Sequence, residues 1–166
     1  MKLRKLVLTF TSTTLAISLT GVVLAEDVMN LPASMCRPQG SGSLAVKDDG
    51  SIENQTTSEV TALCPVERKW ANGALSTSLS AKVWALDRHA TENVCCRAVR
   101  RSPTNSNNDF RGPEVCTSGN YITYQTLDVP EIASGGSFSY FYIECTIPPK
   151  SAGNESGLST YRAIQE

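Results

Sequence analysis

The stretch Ser137–Pro149, SFSYFYIECTIPP, decides how the chain is read. Taken with a period of two, it places Phe141, Ile143, Cys145 and Ile147 on one side. Phe138, Tyr140, Tyr142, Glu144 and Thr146 fall on the other. Aromatic and β-branched residues in alternation, opened by Gly135-Gly136 and closed by Pro148-Pro149, specify a β-strand. The first side is wholly apolar, so a disulfide from Cys145 points into a core.

Outward from this strand, the same period recurs. Leu75–Leu86 is the longest run, with Leu75, Thr77, Leu79, Ala81, Val83 and Ala85 on the core face and Lys82 and Trp84 opposite. Val60, Ala62, Cys64 and Val66 share one face of a second strand, and Val94, Cys96 and Ala98 one face of a third. Ser43–Val46 reads as a short strand, and Asp48-Asp49-Gly50 suits the positive-φ positions of a hairpin returning at Ile52. Tyr121–Val129 and Leu158–Ile164 are further strands, Glu26–Met35 is a leading arm, and the aperiodic Asn- and Ser-rich Ser102–Pro113 is a loop. With no helical stripe, seven or eight short strands predict an all-β fold, an antiparallel β-sandwich of jelly-roll-like or immunoglobulin-like form.

The N-terminus predicts the compartment. Lys2, Arg4 and Lys5 precede an apolar run to Leu24, and Val23 and Ala25 occupy the −3 and −1 positions of a signal-peptidase site. Residues 1–25 are therefore expected to be a cleaved signal peptide and 26–166 a single sandwich domain that is secreted, whether periplasmic, extracellular or on the cell surface. No later run is long and apolar enough for a membrane span. Removing the three basic residues of the leader leaves 12 Lys and Arg against 16 Asp and Glu, a net charge of −4. That balance argues against nucleic acid as a partner, because phosphate binding needs clustered positive charge.

All six cysteines lie beyond the leader, and an even count in an exported chain implies three disulfides. Cys96 and Cys145 both fall on apolar faces and are expected to form the core bridge. Cys95 must face the other way and reaches Cys116, which leaves Cys36–Cys64 to tie down the first hairpin. The chain-entropy model credits each bridge with about 3–4 kcal/mol.

The succession CRPQGSG, ALCPVER, VWALDRHATENVCC, FYIECTIPP and STYRAIQE resembles a group of small exported bacterial β-sandwich proteins of unknown function. In that group a Cys-Pro follows one strand and a Val-x-Cys opens another; Cys116 and the second cysteine of Cys95-Cys96 are additions to the pattern. The resemblance implies a fold and a compartment, and carries over no activity and no site residue.

Few residues suggest catalysis. His89 is the only histidine, so no usual zinc ligand set is present, and Asp87 near it lacks a marked serine in a nucleophile elbow. Cys-x-x-Cys is absent, which argues against a redox enzyme. Lys47–Glu53 has the look of a degraded calcium loop without the EF-hand ligand spacing, and a hairpin explains its Asp-Gly. No metal and no cofactor are expected. Asn54 and Asn154 head glycosylation sequons that mean nothing in a bacterial host. Trp84, Tyr140 and Tyr142 lie opposite the better core faces, where they either cover a sheet by cross-strand pairing or stack on a ligand. These features point to a non-catalytic surface module binding carbohydrate or protein through Trp84, Tyr140 and Tyr142. The alternatives are a structural subunit pairing through Leu158–Ile164 or Glu26–Met35, and a small hydrolase with an unrecognised site.

N-terminal sequencing of material exported by the native host should begin at Glu26 or within two residues of it. A mature chain still carrying Met1 would remove the basis for export.

Overall fold

The computed structural model describes residues 27–71, 74–103, 105–136 and 138–166. The expected leader lies outside them. The strands are β1 (Asp27–Pro32), β2 (Arg37–Pro38), β3 (Ala45–Val46), β4 (Ile52–Glu53), β5 (Val60–Val66), β6 (Trp70–Ala71) and β7 (Ala74–Leu75). They continue as β8 (Ser78–Leu86), β9 (Cys95–Ser102), β10 (Asn105–Arg111), β11 (Val115–Cys116), β12 (Gln125–Ala133), β13 (Tyr140–Ile147) and β14 (Gly157–Gln165). Sheet I runs β12-β8-β14-β4-β3, with β1 also on β14; sheet II runs β10-β9-β13-β5-β2, with β11 also on β9. The hairpin β6–β7 stands apart. This is an all-β sandwich of two antiparallel sheets, with more strands than the seven or eight expected. Six of the strands are only two residues long, too short for a periodic signal to mark them.

The core lies between the alternating faces read from the sequence. Leu79, Ala81, Val83 and Ala85 of β8 face Ala62 and Cys64 of β5, Cys96 and Ala98 of β9, and Phe141, Ile143, Cys145 and Ile147 of β13, all buried. Two bulges keep the inward set apolar where strict alternation would not. One lies between Leu158 and Thr160, so that Leu158, Tyr161 and Ala163 all point inward. The other lies between Val129 and Ile132 and takes up Pro130, which has no backbone N–H to donate.

Cys36–Cys64, Cys95–Cys116 and Cys96–Cys145 are the disulfides. Cys145 sits directly opposite Cys96 on β13 and β9, and Cys116 opposite Cys95 on β11 and β9. Cys36 immediately precedes β2, where Arg37 pairs with Leu63, so it faces Cys64. Every bridge is thus a rung within sheet II. The Cα–Cα separations of 4.0–4.1 Å suit the closer, non-hydrogen-bonded kind of antiparallel pair. Cys36–Cys64 does not tie down the hairpin at Asp48-Asp49-Gly50, because that hairpin joins β3 to β4 in the other sheet.

Polar contacts join the sheets. Tyr161 donates its hydroxyl from β14 to the Pro65 carbonyl of β5 at 2.7 Å. The fully buried Asn54, just after β4, donates from Nδ2 to the carbonyls of Ile147 and Pro148 at 3.1 and 3.0 Å. Its Oδ1 accepts from the Thr56 N–H and hydroxyl, so the sequon asparagine is a fully used structural amide. Arg68 donates to the carbonyls of Ser76, Gly136 and Ser139 and draws the loops at that end together.

The strand expected at Tyr121–Val129 pairs only from Gln125 and runs on to Ala133, since residues 121–124 form a bend. Three further expected elements differ. Ser102–Pro113 is largely the edge strand β10 rather than a loop, paired with β9 at Phe110 and Arg111. An edge strand with no second neighbour shows no two-residue apolar period. Leu158–Ile164 forms most of β14, which lies inside sheet I between β8 on one edge and β4 and β1 on the other, so it offers no free edge. Within the arm expected at 26–35, Asp27–Pro32 is β1, already paired along its length to β14.

Burial pushes the Tyr161 phenol up to about 12. The unfolded chain ionises this group near pH 10, while the folded protein holds the proton. Below pH 10 the group adds no pH dependence; between pH 10 and 12 stability falls as the pH rises. Urea unfolding across that range should show the decline. Tyr161→Phe should lessen the slope and cost about 1 kcal/mol at neutral pH; Tyr142, also raised by burial, supplies part of what remains.

Candidate functional site

On the outer face of sheet II, β13 presents Tyr140, Tyr142, Glu144 and Thr146, because Phe141, Ile143, Cys145 and Ile147 take the core side. The register sets their neighbours. Tyr140 lies beside Arg101, Tyr142 between Val99 and Pro65, and Glu144 between Arg97 and Leu63. Arg37 on β2 completes the Glu144 row beyond Leu63.

Tyr140 is 45% exposed and Tyr142 half-buried, with ring centroids 6.4 Å apart and planes tilted by 35°. Beside them runs an open cleft of about 390 Å³ whose lining includes Arg37, Leu63, Pro65, Arg101, Tyr140 and Tyr142. Burial, then Asp109 and Glu144, raises the Tyr142 phenol above its usual range, so it stays a neutral hydrogen-bonding group.

One side of the cleft is braced by an ion network. Glu144, only 4% exposed although it faces outward, accepts from Arg97 Nε at 2.8 Å and from Arg111 Nη2 at 3.4 Å. Arg97 also reaches Glu114 at 3.5 Å, and Arg101 lies 3.5 Å from Asp109. Arg97, Arg101 and Arg111 are thus each engaged by a carboxylate. Arg100 itself turns away, donating to the Ala133 carbonyl at 3.0 Å and lying over the Phe110 ring at 5.0 Å.

Trp84 does not join the two tyrosines. It sits on β8 in sheet I, whereas Tyr140 and Tyr142 sit on β13 in sheet II, and each points away from the shared core. The three rings therefore occupy opposite outer faces, and the single three-ring surface is not formed. Strand adjacency, which alternation within each strand leaves open, decided this. Trp84 is also covered: the Arg162 guanidinium lies 5.7 Å from its ring centre while donating to Asn30 at 2.7 Å.

His89 and Asp87 do not assemble a triad. The Asp87 carboxylate is buried and accepts from the Thr117 hydroxyl at 2.5 Å, the Ser156 hydroxyl at 3.3 Å and the His89 backbone N–H at 3.1 Å. The imidazole Nδ1, the atom a triad carboxylate would hold, instead accepts backbone N–H groups of Thr91 and Glu92. The Asp48-Asp49-Gly50 turn uses its oxygens locally: Asp49 Oδ1 accepts from the Ser51 N–H and hydroxyl, and Gly50 adopts a φ of +81°. Among the described residues the one grouping of three metal-ligating side chains is Cys95, Glu114 and Cys116, and its two cysteines are bonded to each other.

Sequence reasoning missed Arg37, Leu63, Pro65 and Arg101, which come to the tyrosines only through strand pairing. It also missed Trp70, the more exposed tryptophan, on β6. There a signal did exist, since Asn72-Gly73 between Trp70-Ala71 and Ala74-Leu75 is a strong hairpin pattern.

No family model and no curated protein matches the chain. Among solved structures it is similar to a family two carbohydrate esterase from Cellvibrio japonicus, with a TM-score of 0.47, 10% identity, and 86% of this chain against 35% of that one. It is similar to the GH26-CBM35 β-(1,4)-mannanase of Podospora anserina, with a TM-score of 0.46, 8% identity and 84% against 28%. A third is the low affinity xylan binding module CBM86 from Roseburia intestinalis, with a TM-score of 0.43, 11% identity and 86% against 96%. The chain spans about a third of the length of the first two. None of the three reaches a TM-score of 0.5, a degree of similarity that assigns neither ligand nor activity to this chain.

Glu144→Ala should leave Arg97 and Arg111 facing one another without their shared carboxylate. The expected cost is about 1–3 kcal/mol, below the full figure for a buried pair because both arginines reach solvent. Glu144→Gln, which keeps hydrogen-bonding oxygen, should cost less; urea denaturation of the three proteins checks the order.

Proposed function

We propose that the chain is an exported, non-catalytic binding module that holds a carbohydrate on the outer face of sheet II. The carrying observation is the open cleft beside Tyr140 and Tyr142, where two tilted rings, Leu63 and Pro65 adjoin the hydrogen-bonding groups of two arginines. Sugars present apolar C–H faces edged by hydroxyls, and a tyrosine offers a flat apolar body with a polar tip to match. Three disulfides and a leader with a signal-peptidase site support export. Trp84 is left out of this reading because it lies on the other sheet beneath Arg162.

Assembly through a terminal strand has less support, since β14 has neighbours on both edges and β1 pairs with its own chain. A hydrolase has less support too, because the Asp87 and His89 side chains are committed to loop hydrogen bonds.

A shallow cleft buries few ligand atoms, so the dissociation constant should be about 10⁻³ to 10⁻⁵ M. On immobilised polysaccharides, Tyr140→Ala/Tyr142→Ala should lose retention by about tenfold or more while remaining folded, and Trp84→Ala should retain like the wild type. Undiminished retention of the double variant, or loss in Trp84→Ala alone, would eliminate this face as the ligand surface.

A further inference from the structure

Taking the saccharide-binding face as its premise, the charge of the cleft points to a ligand class. We propose that the cleft binds an extended, carboxylated polysaccharide, a polyuronate, with Arg37 and Arg101 each engaging a sugar carboxylate and Tyr140 and Tyr142 stacking between them.

The lining contains two guanidinium groups and no carboxylate. Two carboxylates on this side of the sheet are already engaged. Glu144 is held between Arg97 and Arg111, and Asp109 sits against Arg101 at the long distance of 3.5 Å. Arg37 is exposed and makes no ion pair among the described residues. In this cleft the Arg37 charge is unpaired among the described residues and the Arg101 charge is shared with Asp109 only at long range, beside two stacking rings. The guanidinium fork matches a carboxylate with two parallel N–H···O bonds, a geometry that a neutral hydroxyl does not use.

The spacing favours a polymer. Arg101 stands in the Tyr140 row one strand to one side of β13, and Arg37 in the Glu144 row two strands to the other. Strand spacing and rise put their Cα atoms about 20 Å apart. A single sugar ring does not reach both, whereas an oligosaccharide crossing the tyrosines obliquely does. Two arginines in an acidic chain are too few for a nucleic acid, whose repeated phosphates call for a longer basic track.

The test measures binding of the mature protein to polygalacturonate and alginate, to the methyl esters of both, to neutral xylan, and to poly-glutamate. Wild-type protein is compared with Arg37→Gln and Arg101→Gln, each checked for an unchanged unfolding midpoint. Expected are binding to at least one polyuronate, about tenfold weaker binding to its methyl ester, and a loss of about five- to tenfold in each variant, with weakening as salt rises. Equal binding to acid and ester, preference for xylan, or indifference to both arginine substitutions overturns the charged ligand and leaves the saccharide face standing. Binding to poly-glutamate alone, or to none of the polymers, overturns the saccharide face and the polyuronate together.

Discussion

The structure depends on three disulfides that are all rungs of one sheet. Cys96–Cys145 locks β9 against β13 in the core, Cys95–Cys116 holds β11 to β9, and Cys36–Cys64 holds β2 to β5. A covalent rung between directly opposed residues forbids a slip of register, and a slip by one residue would send every side chain of a strand to the other face. With Cys145 opposite Cys96, Glu144 must lie beside Arg97 and Tyr140 beside Arg101. With Cys36 against Cys64, its neighbour Arg37 must face outward beside Leu63. The bridges therefore fix both the core face of sheet II and the residues at the margins of its outer cleft.

The sheets themselves are not cross-linked, since all six cysteines are spent within sheet II. Apolar burial and a few polar ties keep the layers together. Much of the core is alanine and cysteine, small residues that let the layers approach closely but bury little area each. This raises the importance of Tyr161, large and 1% exposed, whose hydroxyl reaches the Pro65 carbonyl across the layers. Asn54 does the same at the opposite end, and a buried amide with all its bonds made is costly to lose.

The two outer faces have different characters for a physical reason. On sheet I, Arg162 covers Trp84 and Lys82 pairs with Asp128 at 2.7 Å, so long side chains of the sheet cover its own surface. On sheet II, Arg97 and Arg111 are drawn to the buried Glu144, leaving the neighbouring strip of Tyr140, Tyr142, Leu63 and Pro65 open. An outward carboxylate that gathers its cations to one side is what separates an uncovered cleft from a self-covered sheet.

The linear order of residues by itself determined the class of fold and the inward face of each long strand. In β8, β9 and β13 side chains alternate strictly, and apolar content distinguishes one side from the other. It also placed the tyrosines outward, since Phe141 and Ile143 claim the core. Strand adjacency was not legible, because the chain passes from one sheet to the other between most long strands and so few neighbours are joined by a tight turn. Trp84 was therefore grouped with rings that lie on the other side of the core. The edge strand β10 and the two-residue strands carry no period of their own, and the bulges at Ser159 and Pro130 change facing in mid-strand. Only tertiary pairing brought Arg37 and Arg101 to the tyrosines from 103 and 39 residues away along the chain, because in an antiparallel sheet lateral neighbours are chosen by backbone hydrogen bonding between distant segments and not by proximity in sequence.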